Sequence, residues 1–272
     1  MDIHCQHIST ALGRLHFARC GTGFPVLLLH QTPRSWDEYR DVLPLLGRQW
    51  DVIAMDTVGY GGSPPFADGA PTVERWAAAA LALMDSLGHR RFAVLGHHTG
   101  AVIGMEMAVA APERVAALLL SSCPMVDADK RRRHGSHPTV DGVERRADGG
   151  HLVELWRGRQ GFYPSGDIDL LERFVIDALR AGPRAGGGHL CVNRYHMEDR
   201  IGGVRAPTLI IAAPQDPHAY PAVPRLASAL PHARVVEIDG GMVPLPDQMP
   251  EDFAAVVADF LDSCALGAAR SA

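Results

Sequence analysis

The chain has 272 residues, 47% of them hydrophobic and 21% charged, with a formal net charge of −5. That balance argues against a nucleic-acid protein, which needs a basic face, and no apolar run approaches the roughly 20 residues that span a bilayer. Five widely spaced cysteines (Cys5, Cys20, Cys123, Cys191 and Cys264) without a CxxC pair, and an amino terminus without a signal-peptide pattern, give the expectation of reduced thiols in a soluble, cytoplasmic protein.

Length alone allows two domains, but α/β chains of this size often form one. After a short opening strand, residues 13–19 read as a second strand. The run Pro25-Val26-Leu27-Leu28-Leu29-His30 reads as a strand buried on both faces. It ends in the loop Gln31-Thr32-Pro33-Arg34-Ser35. From Trp36 the spacing Trp36, Tyr39, Leu43, Leu46 is helical. A strand over 50–55 closes on Asp56 and the turn Gly59-Tyr60-Gly61-Gly62-Ser63. A helix over 72–87 carries Trp76, Ala80, Met84 and Leu87 on one stripe and stops at Gly88.

Next, Phe92-Ala93-Val94-Leu95 predicts a buried strand, residues 101–111 a helix, and 116–120 another strand. The alternation then breaks. Residues 124–203 hold a basic patch, Lys130-Arg131-Arg132-Arg133, clustered glycines, and one clear helix with Ile168, Leu171, Val175 and Leu179 on its expected stripe. Such a stretch is too long for a structureless connection, so it reads as an inserted lid. The rhythm resumes with a strand over 208–212, a helix over 221–230, a strand over 235–238 and a closing helix over 250–261. The expected organisation is a core of residues 1–123 and 204–272 with a lid at 124–203. Alternating strands and helices predict a mostly parallel central sheet with helices on both faces.

The stretch with most chemical content is Gly96-His97-His98-Thr99-Gly100, where a strand turns sharply into a helix. Two glycines frame a residue forced into a strained, positive-φ conformation. That residue is His98, where a serine is usual; histidine is among the side chains that visit positive φ more often.

These residues resemble the α/β-hydrolase superfamily over nearly the whole chain apart from the lid. His30-Gln31-Thr32-Pro33 is similar to the family's His-Gly-x-Pro oxyanion loop, and Asp56 with Gly59 to Ser63 to its D-x-x-G-x-G-x-S turn. Residues 96–100 match its nucleophile elbow, and Pro112-Glu113-Arg114-Val115 and Gln215-Asp216-Pro217 match later marks. The resemblance implies a nucleophile, acid, histidine triad in that chain order. Asp216 falls on the acid. His98 falls on the nucleophile, and Met242 of Gly241-Met242-Val243-Pro244 falls on the histidine. His97 falls on a position that is usually structural.

With Met242 making no claim on Asp216, the expected machinery is a His98–Asp216 general-base dyad, facing an oxyanion hole of the Thr32 and Thr99 backbone N–H groups. His30, Gln31, Arg34, Trp156 and Met242 are the expected substrate-binding residues, Arg34 toward a substrate carboxylate. Trp156, Phe162, Tyr163 and Tyr195 would roof the site. The expected function is hydrolysis of a small ester, lactone or carbonyl compound without a serine acyl-enzyme. Alternatives are lyase or isomerase chemistry, or a non-catalytic small-molecule binder on a hydrolase scaffold.

Lesser candidates are His218 as a replacement histidine, Cys123 as a thiol nucleophile and Lys130 to Arg133 as an anion-capturing rim; the simpler readings are a solvent-facing histidine, a packing thiol and a solvated loop. Fourteen histidines raise a metal site from His30, His98 and one of His151, His189 or His196, but no pair has ligand spacing, so none is expected. No dinucleotide or phosphate-loop pattern implies an organic cofactor. A small molecule is the expected partner, with no nucleic acid and no membrane, and homodimerisation is compatible with the chain.

Overall fold

Short runs rich in Val, Leu, Ile and Ala become interior strands because every side chain, on both faces, finds apolar cover. The computed structural model describes residues 1–134 and 141–266; residues 135–140 of the expected lid and 267–272 of the expected core lie outside that span. In chain order the elements are β1 (His4–Thr10), β2 (Gly13–Cys20), β3 (Pro25–Leu29), α1 (Leu43–Leu46), β4 (Asp51–Met55), α2 (Val73–Ser86), β5 (Phe92–His97), α3 (Thr99–Ala110) and β6 (Val115–Ser121). Four helices follow: α4 (Ala128–His134), α5 (Gly150–Gln160), α6 (Ile168–Ala181) and α7 (Gly187–Asn193). The chain then returns through β7 (Thr208–Ala212), α8 (Val223–Ala229), β8 (Arg234–Glu237), α9 (Leu245–Gln248) and α10 (Pro250–Ser263).

The eight strands lie in one sheet, in the order β1-β2-β4-β3-β5-β6-β7-β8. Pairings from β4 to β8 are parallel, and β2 runs antiparallel to both its neighbours. Alternate residues of each strand feed opposite layers. Leu27 and Leu29 join an apolar cluster with α2 and α3. Val26 and Leu28 join one with α1 and α10. The strand order reverses at β3, whose neighbours are β4 and β5. Ligands in open α/β sheets sit beyond the carboxyl ends of the strands at such a reversal. Here those ends are the loop after Leu29 and the turn after His97.

Three expectations need correcting. The helix expected from Trp36 is split into a 3₁₀ turn, Trp36–Tyr39, and the single-turn α1. Pro44 is the reason, since in a continuous helix its ring would meet the carbonyl four residues back. The basic patch is α4, a helix. On α6 the buried residues are Leu170, Leu171, Phe174, Asp177, Ala178 and Ala181, while Ile168 and Leu179 of the expected stripe are 58% and 42% exposed. Asp177 concealed the true face: a carboxylate there reads as solvated, but it is buried beside Arg34 and Ser35.

The segment between β6 and β7 has a small core of its own, in which Tyr163 and Phe174 meet edge to face at 5.9 Å between ring centroids. It is therefore a packed helical insertion rather than a long loop.

Candidate active site

The elbow forms because β5 and α3 meet with no room for side chains at the junction. A Cβ on Gly96 would overlap the Gly100 carbonyl, and one on Gly100 would overlap the Leu29 carbonyl. Between them His98 adopts φ 48°, ψ −109°, and its N–H donates to the Ser121 carbonyl at 3.0 Å. Such a conformation costs about 1–3 kcal/mol and persists only where the surroundings impose it. The strain lifts the imidazole clear of the sheet, with 15% of the side chain exposed.

Asp216, in the turn after β7, is fully buried. Its Oδ1 accepts the N–H groups of His218 at 2.9 Å and Ala219 at 3.2 Å. Its Oδ2 stands 2.8 Å from His98 Nε2. The separation is that of a hydrogen bond but the direction is oblique, leaving both atoms without an aligned partner, so the contact is a close electrostatic pairing. Burial would raise the Asp216 pKa, but the adjoining His98 and the His218 amide outweigh it and hold the carboxyl well below the usual range.

The neighbouring His97 has a different fate. Its Nε2 donates to the Val243 carbonyl at 2.8 Å and its Nδ1 accepts from Ser121 Oγ at 2.9 Å. Burial, with His98 alongside, pushes its pKa down to about 3. It is a neutral brace between the elbow and the 241–244 turn. Met242, in that turn, is half-buried and donates its amide to Gln248 Oε1 at 2.7 Å.

The loop after β3 reaches the elbow through its side chains: Thr32 Oγ1 and Thr99 Oγ1 are 2.9 Å apart. Thr99 opens α3, so its N–H has no intrahelical acceptor. Helix α7 of the insertion lies against the same loop. A Cβ at Gly188 would stand 2.6 Å from Thr32 Cβ and 2.7 Å from Tyr60 Oη.

The expected substrate-binding residues fare differently. His30 is buried, its Nδ1 donating to the Gln31 carbonyl at 2.7 Å and its Nε2 accepting from Thr57 N–H at 2.9 Å, so both ring nitrogens are occupied. Gln31 donates its amide and its side chain to Glu38, at 2.9 and 2.7 Å. Trp156 is half-buried and packs against the insertion's own core.

Arg34 corrects its expectation. It is fully buried, 3.4 Å from both Asp37 and Asp177 and 3.1 Å from Asp247. Burial would drive the charge off, but Asp247 and Asp177 raise its pKa further. Fully buried among three carboxylates, it is closed to a substrate carboxylate. Asp177 and Asp247 lie 143 and 213 residues from Arg34, so no local pattern reveals them.

The Lys130 patch is divided. Arg131 pairs with Glu198 and Arg132 with Asp129. Lys130 is half-buried within electrostatic reach of Cys123 and Asp216, and burial lowers its pKa. Helical periodicity, missed when the patch read as a loop, would have separated it from Arg131 and Arg132.

Cys123 is buried and its pKa is pushed up to about 12, which keeps it a thiol. His218 is exposed on one side, and its ring lies 4.6 Å from that of Phe162. Among the described residues no group of three or more His, Cys, Asp or Glu side chains is placed to hold a metal ion.

A family model described as alpha/beta hydrolase fold matches residues 25–245. The chain belongs to the α/β-hydrolase fold family. Among curated α/β-hydrolase relatives, a soluble epoxide hydrolase of Corynebacterium sp. (strain C12) is 36% identical over 95 residues, 35% of this chain and 33% of that protein. The first such relatives are thus matched over a third or less of their own length. A Pseudomonas savastanoi pv. phaseolicola protein named "Putative carbamate hydrolase RutD" is 28% identical over 274 residues, 96% of this chain and 98% of that one. The structure of a thermophilic esterase from Thermogutta terrifontis superposes with a TM-score of 0.78 at 22% identity, over 96% of this chain and 99% of that one. That last likeness shows the α/β-hydrolase fold alone.

Proposed function

We propose that this protein is a hydrolase of small esters, lactones or related carbonyl compounds that works through a His98–Asp216 base rather than a serine nucleophile. The observation that carries the reading is the imidazole at the strained elbow position, 2.8 Å from a buried carboxylate. Strain of this kind is retained where it does chemical work. The named relatives, epoxide and carbamate hydrolases among them, support hydrolysis as the reaction class.

In the proposed mechanism Asp216 holds the ring through Nε2 and stabilises the imidazolium. Nδ1 takes a proton from water as the water oxygen bonds to the substrate carbonyl carbon. The Thr32 and Thr99 N–H groups receive the developing oxyanion. When the tetrahedral intermediate collapses, the acyl C–O bond breaks and the leaving alkoxide takes the proton back from His98. Each element, base and oxyanion donor, is worth roughly 10² to 10⁴ in rate. That suffices for activated esters and lactones. The helical insertion serves as the lid, and Lys130 adds positive charge to its inner side. The same base could abstract a proton beside a carbonyl, giving lyase or isomerase chemistry.

A panel of 4-nitrophenyl esters and lactones tests the reading. A fluorophosphonate should leave no covalent adduct at the elbow. Full activity in His98→Ala would overturn it. A silent panel with ligands that raise the melting temperature would establish a binding protein instead.

A further inference from the structure

A cavity of about 580 Å³ opens away from the dyad, between the loop preceding α2 and lid helix α7. Neither His98 nor Asp216 lines it. Its volume lies in the range of small-molecule sites, about 300–1,000 Å³. The walls are Tyr60, Phe66, Trp76 and Leu190, and the rim carries Arg184 and Arg194.

The aromatic wall is built rather than incidental. Tyr60 and Trp76 meet edge to face at 6.2 Å, and Trp76 is anchored by its Nε1–H donating to the Val58 carbonyl at 3.0 Å. Tyr60 Oη donates to the Arg184 carbonyl at 3.0 Å, and the Arg75 guanidinium lies 4.0 Å over the Phe66 ring. These fixed rings back one flank of the cavity, and a further flat ring laid against that flank gains from the same offset and edge geometries.

The rim supplies the charge. Arg184 is exposed and held by Nε donating to the Gly59 carbonyl at 2.9 Å, a bond that does not use its terminal nitrogens. Among the described residues neither Arg184 nor Arg194 is paired with a carboxylate. Glu74 is the one acid in the lining, and it is exposed.

From this juxtaposition, we infer that the cavity is a second binding site, distinct from the dyad, for a small aromatic carboxylic acid: the ring lies against Phe66 on the flank backed by Tyr60 and Trp76, and the carboxylate meets Arg184 and Arg194. Tyr60 and Gly188 form the wall between this site and Thr32. The inference does not rest on hydrolysis at His98.

Isothermal titration of the full chain with 2-naphthoate, and with the neutral 2-naphthamide, tests it without any turnover. Wild type should bind the acid, and about tenfold more weakly the amide. The Arg184→Ala/Arg194→Ala double variant should lose about tenfold toward the acid only, the scale of two exposed charge contacts. Gly187 lines the cavity and a Cβ there would meet open space, so Gly187→Leu should fold, checked by circular dichroism, and weaken both ligands at least about tenfold. His98→Ala should bind as wild type does. No heat from wild type with the acid, equal affinity for acid and amide, or loss of binding in His98→Ala would each overturn the site.

Discussion

Two charged corners flank the loop after β3, and they use similar residues to opposite ends. Around Arg34 every charge is matched: Asp37, Asp177 and Asp247 surround the guanidinium, and Arg173 adds contacts to Asp37 and Asp247 at 2.8 Å each. Around Asp216 the pairing is incomplete, with an oblique contact to a partly exposed imidazole. The first corner spans the loop after β3, helix α6 of the insertion and α9, so it clamps insertion to core. Among the described residues the second leaves Nδ1 of His98 without a hydrogen-bond partner. Saturation marks the structural corner, and incompleteness the corner we propose to be reactive.

The largest expected effect tests the reactive side of that contrast. His98→Ala should lower kcat/KM by roughly 10² to 10⁴ while the melting temperature changes little. An equal loss of both would make the two corners alike. Next comes the structural side. Asp177→Ala leaves Arg34 buried and short of one partner, and should lower the unfolding free energy in urea titration by about 3–5 kcal/mol.

The contact between α7 and the loop after β3 gives a smaller effect. Gly188→Ala must displace Thr32 or Tyr60, and overpacking of this kind costs about 1–3 kcal/mol. If α7 closes over the reactive corner, that variant should also change KM, measurable on the best ester of the panel.

The smallest effect is in pH dependence. Burial raises the Glu38 pKa from 4.5 to about 8 against the pull of Arg34. The folded state therefore favours the protonated acid. Its contribution is complete below about pH 4.5 and is lost as pH rises toward 8. Glu38→Gln should flatten that decline in melting temperature. A slope unchanged from wild type would show that the structural corner carries ionised Glu38 at neutral pH.

Much of this was legible in the chain, for identifiable reasons. Gly96 and Gly100 announce a turn with no room for side chains, and Phe92 to Leu95 and Ala116 to Leu120 announce buried parallel strands, because each signal is local. Pro44 was equally local and should have split the helix expected from Trp36. The Arg34 clamp was not legible. Its carboxylates come from α6 and from the start of α9, and a lone Asp177 on a helical stripe looks solvated until a buried guanidinium stands opposite.

Sequence alone thus determined the scaffold, the strained elbow and the presence of an imidazole where a hydroxyl is usual, since backbone sterics and strand periodicity act over a few residues. Only the tertiary structure decided that Asp216 turns toward that imidazole, that Arg34 is surrounded by its own carboxylates, and that Lys130 of the basic patch lies within electrostatic reach of Asp216. Charges choose partners through space, and burial multiplies the cost of a wrong choice, so pairing is settled only when distant segments meet.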